Sequence, residues 1–115
     1  METPAEDITP RLERVAAMED RLGVKFDALS AFLSRPYPDG DYQVDVSGEL
    51  QPTAGDRLER SIMITITIYD AHKRVIATTY TSVDKEQFFL FEAFSLSSGA
   101  RVEPAHIKLY PRAGW

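Results

Sequence analysis

The stretch Ile62-Met63-Ile64-Thr65-Ile66-Thr67-Ile68-Tyr69 places an isoleucine at every second position. Successive side chains of a β-strand point to opposite faces, so this alternation predicts a strand with one face in the core. The other face is rich in threonine, and we expect it to be wet or lightly covered. More than any other segment, this one indicates a β-rich fold.

Period-two patterns predict four further strands in the second half of the chain. They are Tyr42 to Leu50, Arg74 to Val83, Phe88 to Leu96 and His106 to Tyr110. The third of these has aromatic residues on both faces, which favours a central position covered on both sides. Because the connections are short, we expect antiparallel neighbours in a meander of about five strands that resembles a β-sandwich.

The N-terminal part of the chain has a heptad pattern instead. Its inward positions are apolar except for Glu19, and they are Leu12, Val15, Leu22, Phe26, Leu29 and Leu33. Thr9 and Pro10 are typical of a helix start, and Arg35-Pro36 is typical of a helix end. The spacing therefore predicts an N-terminal amphipathic helix and an α+β fold class.

These patterns divide the chain into five parts. They are a flexible N-terminus (1–8), the helix (9–34), a linker (35–41), the antiparallel β domain (42–111) and a C-terminal tail (112–115). Trp115 ends the tail, where an interface anchor, a ring folded back on the sheet and a truncated end remain alternatives.

The apolar stripe of the predicted helix has two interpretations. It packs on the sheet of its own domain, or it pairs with a helix of another chain. A helix of 25 residues would be about 37 Å long, whereas five strands span only about 20–24 Å. The excess length favours a homo-oligomeric assembly module without catalytic activity. The predicted partner-binding residues are Leu22, Phe26, Leu29, Phe32 and Leu33.

Composition excludes several classes of protein. The 115 residues suit one domain, and 18 acidic against 13 basic residues give a net charge of −5, which disfavours nucleic-acid binding. No apolar run approaches the roughly 20 residues of a membrane span. There is no cysteine for disulfides or thiol chemistry. Residues 1–7 lack a basic, apolar leader, which predicts a cytoplasmic protein.

Chemical motifs are sparse, so we expect neither an enzyme nor a cofactor. His72 and His106 are too few for a zinc site, and no nucleophile elbow or phosphate loop occurs. Asp39, Asp41 and Asp45 form a weak calcium candidate. A Pro-Asp-Gly turn is the simpler interpretation of that segment.

Small-ligand binding is the alternative function. The predicted helix and the aromatic segment Phe88 to Phe94 would enclose an apolar pocket. Tyrosine hydroxyls would supply its polar groups, from Tyr42, Tyr69, Tyr80 and Tyr110.

The segment Ile66-Thr67-Ile68-Tyr69-Asp70, followed by Val75-Ile76-Ala77, resembles the central motif of FxLYD-type domains. The resemblance covers about Val44 to Leu96. It implies a bacterial, immunoglobulin-like β-sandwich with a non-catalytic binding or assembly role, and it carries over no functional residue. Physically, an aspartate at the start of a turn accepts hydrogen bonds from the chain that follows.

Overall fold

Two four-stranded sheets make up most of the protein. A computed structural model describes residues 5–35, 37 and 40–114. Within them the strands are β1 (Glu6–Asp7), β2 (Leu12–Arg14), β3 (Val24–Ser34), β4 (Tyr42–Pro52), β5 (Ile62–Tyr69), β6 (Val75–Val83), β7 (Glu92–Ala100) and β8 (His106–Ala113). The first sheet has the order β1-β3-β4-β7 and the second β2-β8-β5-β6. All neighbours are antiparallel except β2 and β8, which run parallel.

The predicted β-rich fold is confirmed, and β5 is its most buried strand. Its four isoleucines are fully buried, as the alternation predicted. They pack with apolar residues of the first sheet, including Val44, Val46 and Leu50, in one hydrophobic core. The predicted strands that begin near residues 42, 62, 74 and 106 are all present.

The predicted meander is wrong. Consecutive strands are neighbours only in the β3–β4 and β5–β6 hairpins, and every other connection crosses between the sheets. The predicted central strand from Phe88 to Leu96 is also displaced. It begins at Glu92, runs to Ala100 and lies at the edge of the first sheet. The reason for its late start is a turn at Leu90, whose φ is +68°.

The predicted helix over residues 9–34 is wrong as well. This segment contains a 3-10 turn (Thr9–Arg11), β2, the short helix α1 (Ala16–Leu22) and β3. Gly23, with φ of +68°, takes the left-handed conformation that ends α1. The residues assigned to a separate helix therefore supply one strand to each sheet, β2 to the second and β3 to the first.

A β-bulge explains the misleading heptad. The core residues of β3 are Val24 and Phe26 before the bulge, and Ala31 and Leu33 after it. The register shifts between Asp27 and Ser30, where residues 28 and 29 lie opposite Gly48 alone, so one extra residue changes which alternate positions face inward. Two short period-two patterns in different phase thus imitate a helical repeat.

Glu19, the exception in the heptad, is a structural residue. Only 2% of it is exposed, and its carboxylate forms an ion pair with Arg14. It also accepts a hydrogen bond of 2.9 Å from the backbone N–H of Phe26. These contacts connect α1 to β2 and β3, so the helix packs on its own domain. The ion pair raises the pKa of Arg14 above its ordinary value.

Candidate functional site

The outer face of the second sheet carries aromatic, hydroxyl and basic side chains. Alternate residues of β5, β6 and β8 point away from the core there, because their neighbours in sequence point into it. We call this surface the tyrosine face and define it by Met63, Thr65, Thr67, Tyr69, Thr78, Tyr80, Lys108, Tyr110 and Arg112. The threonines of β5 point away from the core isoleucines, but the expectation that this side is wet is wrong, because Thr65 and Thr67 are only 1% and 6% exposed. The alternation of β5 alone identifies this side.

Thr65 lies at the centre of the tyrosine face. It pairs in register with Tyr80 on β6 and with Tyr110 on β8. Thr65 is only 1% exposed, although Tyr80 is 59% exposed. Its Oγ1 has no hydrogen-bond partner among the described residues. A buried hydroxyl without a partner costs about 1–3 kcal/mol, so this group has an unused capacity to donate and accept.

The neighbouring threonine is satisfied. Thr67 Oγ1 and the Tyr110 hydroxyl share a hydrogen bond of 2.8 Å. This contact holds the Tyr110 side chain against β5. The face is therefore ordered on one side of Thr65, while Tyr80 projects into solvent on the other.

The charge of the tyrosine face is opposite to that of the whole chain. It carries Lys108 and Arg112 on β8, whereas the net charge of the chain is −5. Glu13 of β2 pairs in register with Lys108, and its Oε1 lies 2.7 Å from Nε2 of His106. Among the described residues, neither Lys108 nor Arg112 forms an ion pair. Both cations are therefore open to an acidic ligand.

An open cleft of about 580 Å³ ends the tyrosine face beside the β5–β6 turn. Tyr69 is its main aromatic group, with its ring centroid 6.1 Å from that of His106 and 5.4 Å from the Lys108 ammonium. Other residues that line it include Glu13, Asp70 and Lys73. The cleft joins an aromatic surface to cationic side chains, which suits a small anion with an apolar part.

The β5–β6 turn is organised by Asp70. Its Oδ1 accepts hydrogen bonds from the backbone N–H groups of His72, at 2.8 Å, and Arg74, at 2.9 Å. This confirms the expectation that the aspartate bonds back to the chain after it. The N–H of Arg74 is the main cause that lowers the pKa of Asp70 below its ordinary value. The turn fixes one wall of the cleft.

The outer face of the first sheet is polar and acidic, and its groups bond to each other. Asp45 accepts hydrogen bonds from Ser97 and, at 3.3 Å, from Gln43. Gln51 donates to Glu49, at 3.2 Å, and to Asp27, at 3.4 Å. This face therefore differs from the tyrosine face in two respects: its charge is negative, and its polar side chains already form hydrogen bonds with each other.

The predicted interface residues do not share one surface. Phe26 and Leu33 lie in the core, and Leu22 and Leu29 are partly buried against it. Phe32 is 39% exposed on the outer face of the first sheet, opposite Asp45. Because residues 24–34 form a strand, the helical stripe that grouped these side chains does not exist.

The other sequence candidates are dispersed. Asp39 lies outside the described residues, Asp41 is exposed, and Asp45 belongs to the hydrogen-bonded network above. His72 is exposed in the β5–β6 turn, and the described residues include no group of three metal-binding side chains. Tyr42 lies on the first sheet under the Arg35 guanidinium, 4.6 Å from it, and away from the other three tyrosines.

Sequence reasoning missed an apolar loop between β6 and β7. Phe89, Leu90 and Phe91 are each about half exposed. The N–H of Phe91 donates to the carbonyl of Phe89, at 2.8 Å, across the positive φ of Leu90, which makes a tight and strained turn. Arg57 lies over the Phe89 ring at 5.1 Å. The strand-like alternation of these aromatic residues hid the loop.

In the part of the chain that the structure describes, no helix is long and apolar enough to cross a membrane. Comparison of the chain with protein families, with curated proteins and with solved structures gives no match.

Proposed function

We propose that this chain is a non-catalytic protein-interaction module that binds a partner protein through the tyrosine face. Protein interfaces are enriched in tyrosine, methionine and arginine, and this face presents Tyr80, Met63 and Arg112 together. Tyrosine gives a large contact area with little loss of side-chain entropy, while hydroxyl groups adapt to the partner's polar atoms.

The observation that carries the proposal is the Tyr80 ring, which is 59% exposed among the outward side chains of β5, β6 and β8. On the same face Met63 is partly exposed and Arg112 is exposed. A partner that covers Tyr80 would bury a large ring at a low cost in side-chain entropy. Thr65 Oγ1 lies beneath this surface with less than 1 Å² accessible, so it offers the partner no direct contact.

Charge indicates the chemistry of the partner. Lys108 and Arg112 flank Tyr110 along β8, and Oε1 of Glu13 lies within hydrogen-bond distance of His106 Nε2. We therefore expect a segment that carries carboxylates next to an apolar group. Carboxylates near cationic side chains speed encounter and select the partner more than they raise affinity.

The proposal leaves catalysis out. The two threonine hydroxyls that β5 contributes to the face are that of Thr65, without a partner, and that of Thr67, whose partner is a tyrosine hydroxyl. Neither has a general base within hydrogen-bond distance among the described residues. The FxLYD resemblance implies a binding role of the same kind, and it stays a proposal, as does a bacterial, cytoplasmic setting.

A display library of random peptides tests the function. Peptides selected on the native chain should contain acidic and apolar residues, and their affinity should fall at least tenfold for the double variant Tyr80→Ser/Tyr110→Ser. The matched control is Phe32→Ser, which removes a half-exposed ring from the other sheet and should leave binding unchanged. Selected peptides that bind the double variant as well as the native chain would contradict the proposal.

Small-ligand binding is a second candidate, favoured by the cleft at Tyr69. Thermal-shift measurements with aromatic carboxylates and with sugars test it directly. We expect the melting temperature to rise with the carboxylates and the rise to disappear in Lys108→Ala. No shift at millimolar concentration would remove this candidate and leave the protein-interaction proposal unaffected.

A further inference from the structure

Strand β6 is a long edge of the second sheet whose sequence lacks the usual protection, although a β-bulge at Ile76 interrupts its pairing with β5 and β7 of the other sheet lies near it. Its nine residues, Val-Ile-Ala-Thr-Thr-Tyr-Thr-Ser-Val, include no charged residue, no proline and no glycine. It pairs with β5 on one side, and among the described residues no backbone hydrogen bond reaches it on the other. Natural proteins protect such edges with charges, proline or short strands, because open N–H and C=O groups recruit another strand.

The other sheet edges show that protection. β1 has two residues, both acidic, and β2 has three, of which Glu13 and Arg14 are charged. β7 is as long as β6, but it begins with Glu92, contains Gly99 and is rich in serine, all poor in β-propensity. The uncharged, threonine-rich edge is thus particular to β6.

From this edge we infer that two copies of the chain pair antiparallel along β6 about a two-fold axis at Thr79. The result is one continuous sheet of eight strands, with the two tyrosine faces side by side. The inference goes beyond the proposed function, because it rests on the strand edge and not on Thr65 or the tyrosine rings. The occupant of the edge is a second copy, and the argument for it is charge complementarity.

The ends of β6 complement each other in this register. With Thr79 on the axis, antiparallel pairing brings Arg74, before the bulge at the start of β6, near the partner's Asp84 at the end of β6, and the two-fold symmetry gives that contact twice. Arg74 uses only its Nε to bond Asp70, and its side chain is 73% exposed. Asp84 uses Oδ1 to accept from the N–H of Glu86, at 2.9 Å, so its other oxygen is available.

Between the charged ends, the regular part of β6, residues 77–81, pairs compatibly. Ala77 meets the partner's Thr81, Thr78 meets the partner's Tyr80, and Thr79 meets the partner's Thr79. Within this segment the alternation keeps one phase, so outer-face side chains meet outer-face side chains, as antiparallel pairing requires. A chain with a net charge of −5 repels its own copy, and the uncharged edge is where that repulsion is weakest.

Light scattering after size exclusion is the first test. The native chain should have twice the monomer mass of 13.0 kDa, with a mass that falls on dilution. A single species at the monomer mass across the accessible concentrations would overturn the inference. The peptide-binding assay above separates the two proposals: a monomer that still binds at the tyrosine face removes the dimer alone.

A cysteine scan tests the register, because the native chain contains no cysteine. Directly opposed residues have Cβ atoms about 5 Å apart, close to the distance that a disulfide spans. Thr79→Cys should therefore oxidise to a covalent dimer under mild conditions. Ser97→Cys, on the other long edge, is the matched control and should run as a monomer on a non-reducing gel. Equal cross-linking of both variants would overturn the register.

The charge pair gives a third test. Asp84→Arg places two cations opposite each other at both ends of the strand, and we expect dimer dissociation to become about tenfold more favourable. Asp20→Arg makes the same change of charge on the exposed surface of α1 and should leave the dissociation constant unchanged. A dimer that is equally stable in both variants would contradict the Arg74–Asp84 pairing.

Discussion

The outer faces of the two sheets differ in how far the chain completes them. On the first sheet, acidic and amide side chains bond to each other around Asp45 and Glu49. On the second, Thr65 is buried between Tyr80 and Tyr110 and has no hydrogen-bond partner among the described residues. The first face is polar and acidic, and the second is aromatic and bears two cations.

The difference supports the proposal that the outer face of the second sheet, and not that of the first, is the binding surface. A face whose polar groups are mutually satisfied gains little from a partner, because binding would have to replace bonds that already exist. A face with exposed aromatic area gains apolar burial without breaking such bonds. The second sheet also ends in the uncharged edge of β6, whereas β7, the long edge of the first sheet, begins with Glu92 and is rich in serine.

The largest effect on stability is expected at Gly48, which lies on β4 opposite the β-bulge of β3. A Cβ at this position would lie 2.5 Å from Leu29 Cδ2 and 3.1 Å from the Asp27 carbonyl oxygen. Gly48→Ala should therefore lower the free energy of unfolding by about 2–3 kcal/mol, through overpacking and displacement of the bulge. Chemical denaturation monitored by circular dichroism measures the change.

Gly99→Ala is the control on the same sheet. Its added Cβ would have only the Tyr42 carbonyl oxygen nearby, at 3.9 Å, which is an ordinary contact. We expect a change within about 0.5 kcal/mol, since alanine also lowers the entropy of the unfolded chain. If both variants lost the same stability, the bulge would not be a specific constraint of the first sheet.

The second prediction compares the two threonines of the tyrosine face. Thr67→Val removes the hydrogen bond to Tyr110, and we expect a loss of about 1 kcal/mol in unfolding free energy. Thr65→Val removes an unpaired hydroxyl instead, and the protein should be unchanged or about 1 kcal/mol more stable. Both changes preserve side-chain shape, so the two variants differ mainly in the hydrogen bonding that each removes.

Binding should separate the same two threonines. The affinity for the selected peptides should be unchanged in Thr65→Val, because Oγ1 has less than 1 Å² accessible and a partner does not reach it. The affinity should fall in Thr67→Val, because this hydroxyl holds the Tyr110 side chain against β5. A large fall in Thr65→Val would show that the face rearranges on binding and exposes the hydroxyl.

How far the sequence predicts this structure is shown by β5 and β3. The strict alternation of β5 predicts both its strand and the direction of its threonines, because no bulge interrupts it before Ile68. The pattern of β3 misleads, because a bulge changes its phase between Asp27 and Ser30. One-dimensional periodicity does not distinguish a phase change in a strand from a helical repeat.

The candidate site was predictable only in part. The residue types of the tyrosine face are visible in the sequence, and so is the outward direction of Thr65. The arrangement of Tyr80 and Tyr110 on either side of Thr65 depends on β8 pairing with β5, which joins segments about forty residues apart. Local patterns do not encode such a pairing, whereas Glu19, the one polar residue among the inward positions, signalled a buried ion pair.

The smallest effect is expected at the turn that ends the second sheet, where Asp70 receives two backbone N–H groups. These bonds hold the pKa of Asp70 below its ordinary value, so the ionised form stabilises the folded chain above the unfolded pKa, about 3.9. That stabilisation is lost as the pH falls below this value and through the lower pKa of the folded state. Asp70→Asn keeps one acceptor oxygen for the two backbone N–H groups but loses the charge and the oxygen that accepts from Arg74 Nε, so it should melt slightly below the native chain at pH 7.

Melting curves of the two chains between pH 7 and pH 2 check this sign. The difference in melting temperature should narrow as the pH falls, because protonation removes the same charge from the native chain that the substitution removes. A difference that stayed constant to pH 2 would mean that the amide fails for a steric reason. The turn beside the cleft would then depend on the shape of the Asp70 side chain and not on its charge.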